Sequence, residues 1–287
     1  MKTVYTASEL RGILKEHRRQ GRSIALVPTM GNLHAGHLTL VHEARRQADV
    51  VVTSIFVNPL QFGPNEDLDS YPRTLEEDQC RLSEADNDIV FAPTAREIYP
   101  NGIEYHTRIT VPVITDLHCG ASRPGFFTGV ATVVTVLFNI ANPDMAFFGE
   151  KDFQQLAVIR KLTRDLRLPI EILSAPTIRE PDGLAMSSRN NYLSERERRR
   201  AVQLYRMLCE TTERIRQGRR DYSTLSDEAT RTLEQEGFHP DYFNIINSDT
   251  LQPAAYEDQQ ITILAAAYLG HTRLIDNISL RLDPETD

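Results

Sequence analysis

The sequence predicts an α/β fold, a doubly wound, Rossmann-like parallel sheet domain followed by a smaller α+β C-terminal domain. Three observations carry this. Short apolar and β-branched runs alternate with segments of helical spacing over the first 176 residues, the pattern of a parallel sheet with crossover helices. Pro and Gly cluster at the ends of those runs, as in Asn58-Pro59-Leu60-Gln61-Phe62-Gly63, marking strand-to-loop exits. Beyond Pro176 the alternation stops, and two charged helical stretches precede three runs of strand character. The expected domains are residues 1–176 and 177–287.

Taken in order, the N-terminal stretch 1–20 is amphipathic, and residues 8–20 read as a helix that starts at a Ser8 cap and ends near Gly21. Residues 24–27 are an apolar strand bounded by Pro28, after which Leu38, Val41 and Ala44 recur at helical spacing. Residues 50–57 are long and β-branched enough for a central strand. A polar helix over 74–85 and a strand over 88–92 follow, and 104–113 alternate as a strand or an excursion from the sheet. Residues 123–130 read as a loop entering a buried helix at 130–140. A strand at 144–148 leads through Gly149-Glu150-Lys151-Asp152 into a helix over 153–167, and 170–174 is a further strand. In the second domain a polar, Gly-containing segment at 183–190 precedes helices at 194–217 and 222–236. Strands are expected at 242–247, 261–269 and 272–280, the last two joined by a Gly270-His271 hairpin turn, and 282–287 as a disordered acidic tail.

Composition narrows the function classes. The 287 residues carry 32 basic and 40 acidic side chains, a formal charge of −8, which argues against a large nucleic-acid surface. The densest basic run, residues 196–200, alternates with Glu at helical spacing and reads as a solvated helix face. No stretch approaches the ~18 apolar residues of a membrane span, and the N-terminal segment lacks the apolar core of a signal peptide, so cytoplasmic residence is expected. Cys80, Cys119 and Cys209 lie far apart without a C-x-x-C, as free thiols in a reducing compartment.

The chemistry concentrates in three segments. His34 and His37 stand three apart at the opening of a helix, where both imidazoles share a face beside N–H groups lacking intrahelical partners, a place for a nucleotide phosphate. Gly31 and Gly36 would let a ligand lie against the backbone. A metal is the other reading of H-x-x-H, but no third Cys, His or Glu sits at a useful spacing. Lys151, in a Gly turn between strand and helix, can reach a phosphate as a point charge. Met186, Ser187, Ser188 and Arg189 form a third polar, cationic loop. Asn58 and Gln61, at the carboxyl end of a strand, are placed for substrate contact.

His34-Ala35-Gly36-His37 resembles the HIGH motif of adenylate-forming nucleotidyltransferases. Over the whole chain, PTMGNLHAGH at 28–37, SIFVNPLQFG at 54–63, YPRT at 71–74, FFGEKDFQQL at 147–156 and DGLAMSSRN at 182–190 resemble the pantoate–β-alanine ligase family. MSSR stands where the wider superfamily has KMSKS, with Ala185 in place of the first Lys and Arg189 as the cation, the form expected within the ligase family. The resemblance implies ATP-dependent condensation of (R)-pantoate with β-alanine through a pantoyl adenylate, in the pathway to vitamin B5 and coenzyme A. It assigns ATP binding to Met30, Gly31, Asn32, Leu33, His34, Ala35, Gly36 and His37, to Gly149, Glu150, Lys151 and Asp152, to Ile178, and to Met186, Ser187, Ser188 and Arg189. It gives Gln61 and Gln155 to the organic substrates and makes His37 the proton donor, with His34, Lys151 and Arg189 beside it in catalysis. ATP as co-substrate, Mg²⁺ held by phosphate oxygens and water, no protein-held metal, and a homodimer are implied with it; protection of the mixed anhydride from water is expected from closure of the second domain, which carries residues 186–189.

These residue types suit the chemistry. Displacement at phosphorus leaves the protein mainly positioning and stabilisation of developing charge, the work of His34, His37, Lys151, Ser187 and Arg189. Neutral amides at Gln61 and Gln155 can hold hydroxyls and a carboxylate without quenching the nucleophile. Ile178 can serve adenine only through backbone or apolar surface. Three alternatives remain: a nucleotidylyltransferase with a phosphate acceptor, a non-catalytic ATP-binding regulator, and a truncated tRNA synthetase, the last disfavoured by the acidic charge.

Overall fold

A run of Ile, Val and Leu that is buried on both faces is the mark of a parallel sheet, and the computed structural model, which describes residues 1–64 and 66–282, contains one. Its chain runs β1 Lys2–Val4, α1 Ala7–Arg19, β2 Ile24–Thr29, α2 Ala35–Gln47, β3 Val50–Ile55, a 3₁₀ turn Pro59–Gln61, α3 Leu75–Glu84, β4 Ile89–Phe91 and α4 Ala95–Ile98. Then follow α5 Cys119–Ser122, α6 Phe126–Ala141, β5 Met145–Gly149, a 3₁₀ turn Glu150–Asp152, α7 Phe153–Asp165 and β6 Glu171–Ala175. A 3₁₀ turn Ser188–Tyr192, α8 Glu195–Arg216, α9 Tyr222–Gln235, β7 His239–Asn247, β8 Gln260–Leu269 and β9 Thr272–Arg281 complete it. The α/β class, with a parallel sheet and a smaller α+β part, is as the sequence predicts.

Two compact units emerge. The first holds residues 1–116, 123–150 and 155–176, and the second 117–122, 151–154 and 177–287. In the first, six strands pair in the order β1-β4-β3-β2-β5-β6, every pair parallel. Ala25, Val27, Val51, Val90 and Phe147 face one side, where Leu40, Val41 and Ala44 of α2 and Leu82 of α3 cover them. By the two-residue period Ile24, Leu26, Val50 and Val52 face the other side, where α6 meets β2 and α1. Successive strands step from β2 through β3 to β4 in one direction, whereas β5 and β6 lie on the opposite flank of β2. The strand order therefore reverses between β2 and β5, the place where doubly wound sheets open a ligand crevice at the strands' carboxyl ends.

In the second unit β7, β8 and β9 form an antiparallel sheet with the registers Phe243↔Ala265 and Ala265↔Asp276. Phe243, Ile245, Ile261, Ile263, Leu274 and Leu280 join Leu204, Leu208 and Ile215 of α8 and Leu225 and Leu233 of α9 in one core. Among the described residues no helix is long and apolar enough to cross a membrane.

Several boundaries depart from expectation for local reasons. The first helix is capped by the Thr6 hydroxyl, which accepts from the Glu9 N–H, and not by Ser8. Residues 2–4 are an edge strand, too short for its alternation to stand out. The buried helix begins at Phe126, before the expected 130, because Gly125 at φ 85° makes the turn and Gly129 lies inside the helix. Residues 104–113 form no strand and run through turns and irregular chain, the excursion and not the strand of the two expectations. Of the expected tail, residues 283–287 fall outside the described part, while Leu282 is buried and its N–H donates to the Gln259 carbonyl at 2.8 Å.

Candidate active site

At the carboxyl end of β2 the backbone enters the left-handed region twice, at Gly31 (φ 81°) and Asn32 (φ 51°). A Cβ at Gly31 would lie 3.0 Å from Asp78 Oδ2 and 3.1 Å from Ile55 Cγ2, so the protein's own packing already requires glycine there. The turn is held by α3: Asp78, 1 % exposed, accepts the N–H groups of Asn32 at 2.9 Å and Leu33 at 2.7 Å, and Arg81 donates to the Leu33 carbonyl. Sequence reading passed over Asp78 because it sits in the acidic run LEEDQ, which resembles a solvated helix face. Only its register with Leu82, four residues on, points inward.

His34 then caps α2. Its Nδ1 accepts from the Gly36 N–H at 3.1 Å, and His37 Nδ1 accepts from the His34 N–H at 3.3 Å. The ring centroids lie 4.1 Å apart. Because each Nδ1 is an acceptor of a backbone N–H, the ring proton of each histidine sits on Nε2. The two imidazoles thus cap the head of α2, taking the Gly36 and His34 N–H groups, and carry their own ring N–H groups at a helix N-terminus. Met30, Leu33 and Ala35 complete this loop, with Leu33 buried.

Beside β2, strand β5 ends in Gly149, where an added Cβ would meet nothing within 4 Å, so no protein group demands the glycine. Glu150 accepts from the Ser174 hydroxyl of β6 at 2.9 Å. After β3 the side chain of Asn58 caps the turn that presents Gln61. Asn58 Oδ1 accepts from the Leu60 N–H at 3.2 Å and the Tyr99 hydroxyl at 2.6 Å, and its Nδ2 donates to Gln61 Oε1 at 2.9 Å and to the Gly129 carbonyl at 3.1 Å. Asn58 is therefore spent on positioning, contrary to the expected substrate contact, and burial of Tyr99 pushes its phenol pKa far up, so it stays a donor. Gln61 is buried with its Oε1 taken, and among the described residues nothing accepts from its Nε2. Arg123 closes the turn by donating to the Gln61 carbonyl at 3.0 Å while paired with Glu66. Gln155 is half-buried on α7, whereas its neighbour Gln154 is spent on Cys119 and Leu117.

The remaining expected residues belong to the second unit. Asn277 Nδ2 on β9 donates to the Lys151 carbonyl at 2.9 Å, and Asp152 follows in the same 3₁₀ turn. Ile178 and Met186 face each other across a small hairpin, the Met186 N–H donating to the Ile178 carbonyl at 2.9 Å, with Arg179 bridged to Ala185. Gly183 at φ 98° turns it, and an added Cβ there would lie 2.6 Å from the Tyr205 ring. Arg179 locks the hairpin: its guanidinium grips both oxygens of Asp276 at 2.6 and 2.9 Å and stacks 3.7 Å over the Tyr205 ring. Ser187 caps the following turn, its Oγ accepting from the Arg189 N–H at 3.2 Å, and Ser188 and Arg189 open that turn.

The expected residues thus fall in two sets. His34, His37, Gly149, Glu150, Gln61 and Gln155 lie in the first unit, and Lys151, Asp152, Ile178 and Met186 to Arg189 in the second. Among the described residues no group of three or more His, Cys, Asp or Glu is placed to hold a metal ion.

Comparison with known proteins gives a consistent pattern. The model of the family described as pantoate-beta-alanine ligase matches residues 2–279. The pantothenate synthetase of Marinobacter nauticus is 60% identical over 280 residues, 98% of this chain and 99% of that one. That of Hahella chejuensis is 60% identical over 282 residues, 98% of this chain and 100% of the other. Among solved structures, pantothenate synthetase from Thermus thermophilus superposes with a TM-score of 0.89 at 46% identity, covering 97% of this chain and 99% of that one. Pantoate-beta-alanine ligase from Francisella tularensis, solved with beta-gamma ATP and beta-alanine, gives a TM-score of 0.81 at 35% identity, covering 97% of each chain.

Proposed function

This chain belongs to the pantoate–β-alanine ligase family and condenses pantoate with β-alanine; on that premise we propose that the reaction runs through a pantoyl adenylate. A pantoate carboxylate oxygen attacks the α-phosphorus of ATP as the bond to the bridging oxygen breaks and pyrophosphate leaves. The β-alanine amine then attacks the acyl carbon, the C–N bond forms, AMP departs, and the amine loses a proton.

The single observation that carries this reading is the histidine pair at the head of α2, whose two Nδ1 atoms are occupied and whose Nε2–H groups are donors. At the point where strand order reverses, such donors suit the phosphate oxygens on which charge develops, with His37 the proton donor to the departing pyrophosphate. Lys151 and Arg189 supply full charges to the same oxygens. The loops at 30–37, 149–152, 178 and 186–189 hold the nucleotide. Gln61, offering Nε2–H, and Gln155, with no side-chain bond among the described residues, take the hydroxyls and carboxylate of pantoate. Mg²⁺ would enter with the triphosphate, held by phosphate oxygens and water, and would neutralise charge there.

Within the same proposal the enzyme is a homodimer, which sedimentation tests, and works in the cytoplasm, a reducing compartment suited to its free Cys80, Cys119 and Cys209. The deciding experiment is mass spectrometry of a mixture of ATP, Mg²⁺, pantoate and β-alanine. Pantothenate and AMP, both dependent on both organic substrates, are the expected products. A product that retains the nucleotide would point to a nucleotidylyltransferase instead.

A further inference from the structure

We infer that the adjacent residues Asp276 and Asn277 of β9 are a positioning pair for the ATP step, fixing the 178–186 hairpin and Lys151 from opposite faces of one strand. The inference rests on the proposed roles of Lys151 and of the 186–189 loop.

The pleat supplies the geometry. Successive side chains on a strand point to opposite faces, so neighbours can serve two separate segments from a single backbone position. Asp276 shares its face with Leu274 and Leu280, whose side chains lie in the core beneath α8. There it meets Arg179, whose guanidinium also donates to the Gly183 carbonyl at 3.1 Å and stacks on Tyr205 of α8. Two carboxylate oxygens, one carbonyl and one ring face leave that guanidinium little freedom, and the hairpin carrying Ile178 and Met186 inherits the constraint. Asn277 looks the other way and donates to the main-chain carbonyl of Lys151. Its own N–H donates to Asp276 Oδ1 at 2.8 Å, so the two grips are coupled. The 3₁₀ turn that carries Arg189 also packs on β9.

The chemistry of burial argues that this is more than stability. Asp276 is 4 % exposed and Asn277 7 %. Burial pushes the Asp276 carboxyl upward, and Arg179, with Lys151 at longer range, pulls it back. A buried ion pair is generally replaceable by apolar side chains at no loss of stability, so its value here lies in direction. Apolar packing would leave the hairpin and Lys151 able to slide, whereas hydrogen bonds of fixed geometry set where their polar groups point. Neither residue needs to touch the nucleotide; both act through others.

The test compares Asn277→Ala, Asp276→Asn, Lys151→Ala and the double variant Asn277→Ala with Lys151→Ala in the full-length enzyme. Calorimetry gives the ATP Kd, steady-state kinetics the KM for ATP and for pantoate, and thermal melting the folded fraction. Asn277→Ala is expected to raise ATP Kd and KM by about tenfold, the upper end of one net hydrogen bond, with pantoate KM unchanged. Because Asn277 acts through Lys151, it should add nothing to ATP Kd in the Lys151→Ala background. Asp276→Asn is expected to do the same to ATP while pantoate KM holds. If it does not fold, Asn277→Ala and the double variant decide alone. A lowered melting temperature with ATP Kd within about twofold of the parent, or an equal increment in both backgrounds, overturns the inference. Unchanged ATP Kd and turnover in Lys151→Ala alone would instead overturn the role of Lys151 on which it stands.

Discussion

A Cβ placed on Gly129 would lie 2.2 Å from the carbonyl oxygen of Leu60 and 3.1 Å from the Gln61 N–H nitrogen. Helix α6 and the 59–61 turn are thus in backbone contact, and only a residue without a side chain fits between them. Gly129→Ala is expected to destabilise by about 1–3 kcal/mol, the usual cost of overpacking. It should also raise the KM for pantoate, since the displaced turn carries Gln61. Urea unfolding and substrate titration measure the two effects.

Asp78 accepts two main-chain N–H groups of the β2 loop, those of Asn32 and Leu33. Asp78→Ala removes the acceptor from both, and its loss at the buried Leu33 N–H alone costs roughly 1–3 kcal/mol. A loss of at least about 2 kcal/mol by chemical denaturation is expected. Pantoate-dependent exchange of labelled pyrophosphate into ATP should fall with it, because the turn aims the histidine pair. Unaltered exchange would show that the loop keeps its geometry without α3.

His37→Ala and Lys151→Ala should each slow adenylation by about 10² or more, the scale of a donor lost from developing charge. The exchange reaction isolates that step. Gln155→Ala should raise the KM for pantoate while leaving that for ATP near the parent value. Near-normal exchange in the His37 variant would remove it from the role of proton donor.

His118 Nε2 donates to the Leu251 carbonyl at 2.8 Å, so its Nδ1 is unprotonated and accepts from Asn244 Nδ2, also at 2.8 Å. Burial lowers the pKa of this imidazole below its ordinary 6.5, and the bond to Leu251 opposes the shift. A base with a depressed folded pKa gives stability that is present above the unfolded pKa and lost as the pH falls through the folded one. The unfolding free energy should therefore decline as pH drops below about 6.5, where protonated Nδ1 would confront the Asn244 amide. His118→Gln should flatten that slope in calorimetric melts taken across this range; an equal slope in both proteins would place the titration elsewhere.

What could be read in the residues, and what could not, divides by the range of the interactions. The strand at Ile24–Thr29, the strand at Val50–Ile55 and the β8–β9 hairpin follow from apolar period and turn chemistry within a few residues. The histidine pair at the head of α2 follows from a three-residue spacing. By contrast Gly129 reads as a loop glycine until Leu60, far off in sequence, is seen against it. Asp78 looks solvated among its acidic neighbours until the β2 loop closes over it, and Asp276 looks like a stray charge in a strand until Arg179 arrives from 97 positions away. Each of these residues serves a partner that no local pattern discloses.

Residues 117–122 and 151–154 pack with the C-terminal unit, His118 against Asn244 and Leu251, Ser122 against Asp241, and Lys151 against Asn277. On the ribosome these two short segments emerge well before the strands that receive them. Translation alone cannot seat these threads: residues 117–122 stay undocked until β7 and Leu251 have left the exit tunnel, and Lys151 until β9, the last described strand, has followed. A polypeptide begun at Thr177 would likewise be born with its β-sheet stripped of the pieces that the earlier half lends it.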